Sequence, residues 1–115
     1  MARHPKQVTG NLSALILAVL EEEPRHGYAI AREIESRSAD ALSFGEGALY
    51  PALKTLEHEG HILGAWNTEN GGPARKVYEL TPQGRKELAR QRQAWLDYSR
   101  SIEQVLIPGK RATSA

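Results

Sequence analysis

Cysteine is absent from this chain of 115 residues, methionine and phenylalanine occur once each, and aromatic residues make up 6% of it. Without cysteine there are no disulfides, no thiolate zinc site, no cysteine nucleophile and no iron–sulfur cluster, a composition at home in a reducing cytoplasm. Long apolar runs are missing too. The longest, Leu12 to Leu20, is broken by Ser13 and falls far short of the ~20 residues of a membrane span. No charged-then-apolar leader precedes it, so a cytoplasmic chain with no membrane partner is expected. Nor is there an excess of one charge, because 15 Lys+Arg stand against 14 Asp+Glu for a net charge of +1. Any attraction to nucleic acid must then come from local placement. What is present is a hydrophobic fraction of 40%, enough for one core that buries roughly two-thirds of the unfolded chain's surface.

Residues 1–11 form a basic arm with Arg3, His4 and Lys6 and no acid, and Thr9 or Asn11 is placed to start a helix. Leu12, Leu15, Ile16, Val19 and Leu20 then recur at helical spacing, and Glu21-Glu-Glu-Pro24 ends the stripe, so a helix is predicted over about 12–22. Arg25-His26-Gly27 reads as a turn. Tyr28 to Arg37 has helix-forming composition with Ile30 and Ile34 one turn apart, and Ser36 to Ser43 loses the pattern and reads as a linker. Ser43 and Glu46 have the spacing of a capping box, with Glu46 as the alternative cap because glycines flank it. Leu49, Leu53 and Leu56 mark the buried face of a third helix that Gly60 is placed to end in the left-handed conformation. Pro51 must lie in its first turns or bend it.

Ile62 to Trp66 and Lys76 to Leu80 are short β-favouring runs around a polar tip rich in turn residues, which predicts a hairpin. Thr81-Pro82 supplies an N-cap and a proline at the first helical position, opening a helix that runs to about Leu106 before Pro108-Gly109. Along it Leu88, Gln91, Trp95, Tyr98, Ile102 and Val105 step by three and four, a heptad seam suited to dimerisation through Leu88, Trp95, Tyr98, Ile102 and Val105. The fold class is therefore mainly α with a small β-hairpin: a winged helix-turn-helix at 12–81, a long dimerisation helix at 82–107, and a disordered tail at 108–115.

In that fold the third helix enters the major groove and the hairpin reaches a neighbouring groove or the backbone. With the leucines facing inward, Gly47, Tyr50, Lys54 and His58 share the opposite face. Tyr50 and Lys54 suit phosphates or base edges, and Gly47 lets backbone approach closely; the same pattern also fits an ordinary solvated face. On the wing, Arg75 and Lys76 stand together beyond Gly71 and Gly72, a basic pair for phosphates or a minor groove. Lys6 is a further candidate on the arm. Residues 39–61 are acidic on balance, Asp40, Glu46, Glu57 and Glu59 surrounding the single Lys54.

Three segments, His26-Gly27-Tyr28-Ala-Ile30, Gly47-Ala-Leu-Tyr50-Pro51 through Leu53, Leu56, Glu57 and Gly60, and Val77-Tyr78-Glu-Leu80-Thr81-Pro82-Gln-Gly84, resemble the signatures of PadR-like transcriptional regulators. The resemblance runs from about Leu12 to Leu106. It implies a homodimeric repressor that binds a pseudo-palindromic operator in double-stranded DNA, and the single helix after the wing is similar to the small branch that includes multidrug-sensing repressors. Tyr28 matches a position that commonly touches backbone phosphate. Trp95 matches an aromatic that stacks flat ligands in a pore at the dimer axis, with Ala14, Ala18 and Ser99 at pore-lining positions; its plainer role is to anchor the dimer core. Glu21 stands where relatives can carry a basic residue, which implies a preference for cationic aromatic effectors.

Other classes fit less well. Glu57, His58 and His61 cluster near a helix end, yet two histidines three apart lack a convincing further ligand, and no metal site or cofactor is expected. No Gly-x-Ser-x-Gly elbow or phosphate-binding glycine loop occurs, so no enzyme is expected. The competing class is a winged-helix dimer that binds a protein or a ligand without sequence-specific DNA binding, a possibility the acidic third helix keeps open.

Overall fold

The computed structural model describes residues 11–68 and 71–109. Its elements are α1 (Leu12–Glu22), β1 (Arg25–His26), α2 (Gly27–Arg37), α3 (Glu46–His58), β2 (Ile62–Asn67), β3 (Arg75–Leu80) and α4 (Pro82–Leu106). The winged helix-turn-helix and the long last helix are thus present as the periodicities predict. Lys6 and most of the basic arm, along with residues 110–115, lie outside the described residues.

The core forms where the apolar stripes of α1, α2 and α3 meet the inner face of a small sheet. Ile16, Leu17, Ile30, Leu49, Leu53 and Ile62 have essentially no exposure, and truncating one such side chain to alanine costs about 2–5 kcal/mol. Leu88 at the start of α4 joins the same cluster. Two clamps set where α3 and α4 begin and end. Gly60, at φ 82°, closes α3 with a double reverse bond: its own N–H donates to Glu57 and that of His61 donates to Leu56, at 3.1 and 3.0 Å. Thr81 accepts the Gly84 N–H at 2.9 Å, and its hydroxyl donates to the Gly60 carbonyl at 2.7 Å, so the cap of α4 is fastened to the end of α3.

Three local features differ from the sequence-based picture. Arg25-His26 is not a turn but a strand, β1, which pairs antiparallel with β3 at Tyr78 and Val77, making the hairpin a three-stranded sheet in the order β1-β3-β2. Ser43 and Glu46 do not form a capping box: Gly45 occupies the N-cap of α3 without a side-chain bond, and the Ser43 hydroxyl donates instead to Glu35 at 2.9 Å. Glu46 is the first helical residue and favours the helix start through its charge. Asn11 precedes α1 without a side-chain cap. The linker after α2 turns through Ala39 and Asp40 at φ 51° and 67°, held by Ser38, whose Oγ accepts the Leu42 N–H at 3.0 Å.

Candidate nucleic-acid interface and apolar groove

Helix α3 presents the face its leucines leave free. Gly47, Tyr50 and Lys54 are all exposed on it, with His58 in line one turn on. Pro51 lies within α3, exposed on the same side, and the helix continues past it to His58. Tyr50 leans across the N-terminus of α2: a methyl group added at Gly27 would meet its hydroxyl at 2.9 Å. Gly27 thus brings α2 and α3 into register. Tyr28, the next residue, is 62% exposed; its hydroxyl accepts a bond from Arg32 at 2.9 Å, and that guanidinium lies 5.6 Å over its ring.

The wing residues Arg75 and Lys76 do not act as a pair. Neighbours on a strand point to opposite faces, so Lys76 shares a face with the buried Tyr78 and Leu80 while Arg75 points the other way. Lys76 reaches across β2 to Glu57 of α3, donating to Oε1 at 3.0 Å, and this bond raises the lysine's pKa above its ordinary value. Gly64 of β2 makes room, since a Cβ there would collide with the Lys76 stem and approach Glu57 Oε2 at 3.1 Å. Arg75 instead lies 3.1 Å from Nε2 of His26. Sequence spacing did not reveal these partners: Glu57 is 19 residues from Lys76 in sequence, and His26 is 49 from Arg75.

His58 is exposed and His61 faces Glu59 at 3.4 Å. Among the described residues no three metal-ligating side chains converge, and no helix is long and apolar enough to cross a membrane.

A second feature lies between α1 and α4, where a groove of about 790 Å³ is lined by Ala14, Leu15, Ala18, Leu42, Leu88, Gln91, Trp95 and Tyr98, with Arg90 and Arg92 among its other lining residues. The small Ala14 and Ala18 leave it open, and Trp95 and Tyr98 face each other at 6.0 Å between ring centres. Ser99 does not join this lining; its hydroxyl donates to the Leu96 carbonyl at 3.2 Å. Glu21 does not line it either, because it accepts a bond from Arg92 at 3.2 Å. The charge that implied a cationic ligand is therefore paired within the chain. Further along α4, Trp95, Tyr98, Ile102 and Val105 are exposed at 49, 51, 38 and 82%. Leu88 differs, being consumed in its own chain's core at 2% exposure, and so does not belong to that exposed seam.

A helix with a free polar face, a two-stranded wing beside it and a helical core behind define the winged-helix class of DNA-binding proteins. Residues 16–90 match the transcriptional regulator PadR-like family, and the chain belongs to that family. It is similar to a PadR family transcription regulator of Clostridium difficile R20291, with 32% identity, a TM-score of 0.73, and coverage of 84% of this chain and 99% of that one. A transcriptional regulator from Clostridium thermocellum superposes with a TM-score of 0.83 at 25% identity, over 91% of this chain and 99% of the other. A transcriptional regulator of Mycobacterium tuberculosis is 32% identical over 82 residues, 71% of this chain and 63% of the relative. The protein is a transcriptional regulator and not an enzyme.

Proposed function

We propose that the protein is a cytoplasmic homodimeric repressor whose paired α3 helices enter successive major grooves of a pseudo-palindromic operator. The observation that carries this reading is the face of α3, where Gly47, Tyr50 and Lys54 stand exposed while Leu49, Leu53 and Leu56 are buried. Tyr50 and Lys54 meet base edges or phosphates, and Tyr28 and Arg75 meet the backbone on either side of them. Lys6 would add a contact from the arm. The apolar row Trp95, Tyr98, Ile102 and Val105 supplies the dimer seam, since a row of this kind along one helix face needs a partner to leave water. Half-sites would then lie about 34 Å apart.

The groove beside Trp95 supports release of DNA by a flat aromatic effector, with Ala14 and Ala18 giving the space and Trp95 the stacking surface. No acid lines it among the described residues, which favours neutral or anionic aromatics over cations. In a Trp66→Phe background Trp95 is the sole tryptophan, and its fluorescence should change saturably with such ligands. No change across a panel of planar neutral, anionic and cationic aromatics would remove the effector role.

Incubating the purified protein with fragmented genomic DNA and sequencing what it retains tests the DNA-binding reading. Enrichment of one pseudo-palindromic motif is expected. Retention without a motif, or none at low salt, would instead favour a winged-helix dimer that binds a protein or ligand without sequence-specific DNA binding.

A further inference from the structure

His26 makes two contacts that one imidazole ring cannot satisfy together. Its Nδ1 accepts the Ala29 N–H at 3.3 Å and so caps α2. Its Nε2 lies 3.1 Å from Nη1 of Arg75. A neutral imidazole has one donor and one acceptor nitrogen, and a guanidinium has only donors. When Nδ1 accepts, Nε2 carries the proton and two donors face each other. When Nε2 accepts from Arg75, Nδ1 carries the proton against the Ala29 N–H, and the cap is lost. The imidazolium satisfies neither contact. With α2 capped, the end of β1 and the start of β3 therefore aim two donors at one place and supply no acceptor.

The surroundings suit an anion. Two grooves meeting at His26 and Arg75, one toward Thr68 and Pro73 and one toward Tyr50 and Trp66, have no acidic lining among the described residues. A third runs along α2 past Tyr28 and Arg32. Its lining includes Glu33, which pairs with Arg37 at 2.8 Å, Glu35, which takes the Ser43 hydroxyl at 2.9 Å, and Asp40. Tyr28 accepts from Arg32, which leaves its own O–H free to donate, and its ring is parallel to that of His26 at 6.5 Å.

We infer that His26 and Arg75 together hold one phosphate of a DNA strand, joining the start of α2 to the wing. An oxygen of that phosphate accepts from Nε2–H and from the guanidinium at once, so the cap of α2 persists and the wing is fixed against the strand that α2 touches. The inference rests on the DNA-binding function proposed above, and adds to it a residue, His26, that base or phosphate patterns in sequence do not single out.

His26→Asn tests it, because asparagine is a good N-cap but lacks the distal donor. This variant should melt with the wild type and bind specific and non-specific duplexes about equally weakened, by roughly 100-fold, the worth of two charge-assisted hydrogen bonds, one in each half of the dimer. Arg75→Gln should weaken binding similarly and flatten the salt dependence by about 1.8 in slope, one phosphate contact being lost in each half of the dimer. The double variant should lose less than the product of the two single losses, since both donors serve one phosphate. Binding by His26→Asn within twofold of wild type, or losses that multiply, would overturn the inference. Inorganic phosphate titrated against the free protein, read by the NMR signals of His26, separates the sources: saturation by free phosphate alongside unchanged DNA binding in His26→Asn would assign the site to a soluble anion and overturn the backbone contact. Wild-type protein that binds no duplex at low salt would remove the DNA-binding reading itself, whereas wild-type binding that His26→Asn preserves removes only this site.

Discussion

Lys76 of the wing and Glu57 of the recognition helix are joined by a 3.0 Å ion pair that passes over Gly64. Both side chains are about 30% exposed, at 30 and 29%, so water screens the pair and it adds little to the fold. Its larger effect is on charge. While Glu57 holds it, Lys76 offers a phosphate little net attraction, and among the described residues the exposed cations of the wing and α3 reduce to Lys54 and Arg75.

Glu57→Gln should free Lys76 for DNA. Affinity for any duplex should rise several-fold at low salt, with a slope against salt steeper by about 1.8, one new contact in each half of the dimer, and the melting temperature should fall slightly. An unchanged slope in fluorescence-anisotropy titrations would show that Lys76 stays away from the backbone.

Gly84→Ala should be strongly destabilising. A Cβ at Gly84 would collide with the His61 carbonyl oxygen and come within 2.8 Å of Leu80 Cδ1. The neighbour at His61 is backbone, tied to Thr81 by hydrogen bonds to its N–H and hydroxyl, so relief requires moving the cap of α4. A loss of about 1–3 kcal/mol is expected in denaturant unfolding; a loss under about 0.5 kcal/mol, the usual range for surface changes, would show that α4 docks more loosely.

Much of this architecture is legible in the chain. The stripe from Leu12 to Leu20, the Leu49, Leu53 and Leu56 face, the Gly60 stop and the Thr81-Pro82 start are local signals, each set by periodicity or by one cap, and each matches an observed element. What escaped are the features that depend on partners distant in sequence. A strand of two residues has no period to detect, and β1 exists only because Tyr78 and Val77 offer it an edge. Ser43 has the spacing of a cap, but Glu35 competes for its hydroxyl. Glu21 looks like a ligand-facing charge until Arg92, 71 residues away in sequence, is found beside it. The divergence of Arg75 and Lys76 was available from strand alternation; their particular partners were not.

Val105→Asp should separate dimers without unfolding the chain. Val105 is 82% exposed in the single chain, so a carboxylate there costs the monomer little, whereas in a closed seam it would be buried without a partner. Sedimentation should show self-association weakened by at least about 100-fold with the melting behaviour of the monomer retained. Ile102→Asp, one turn earlier on the same row, should do the same.

Acid should loosen α4 through Glu87. Bonds from Arg90 and then Gln91 hold its carboxyl down at about 2, against an ordinary value of 4.5. A group depressed in the folded state stabilises the fold above its unfolded value and loses that contribution as pH falls toward the folded one. Wild type should therefore be more stable than Glu87→Gln at neutral pH, with the gap closing between about 4.5 and about 2. A gap that stays constant across that range would contradict the ion-paired role.

The most direct test of DNA recognition by an electrically near-neutral chain is the dependence of its affinity on salt, measured by anisotropy on a duplex the protein itself retains. A dimer gripping the backbone through about eight phosphates predicts log affinity falling against log salt with a slope near −7. A flat line, or no binding at the lowest salt, would contradict it.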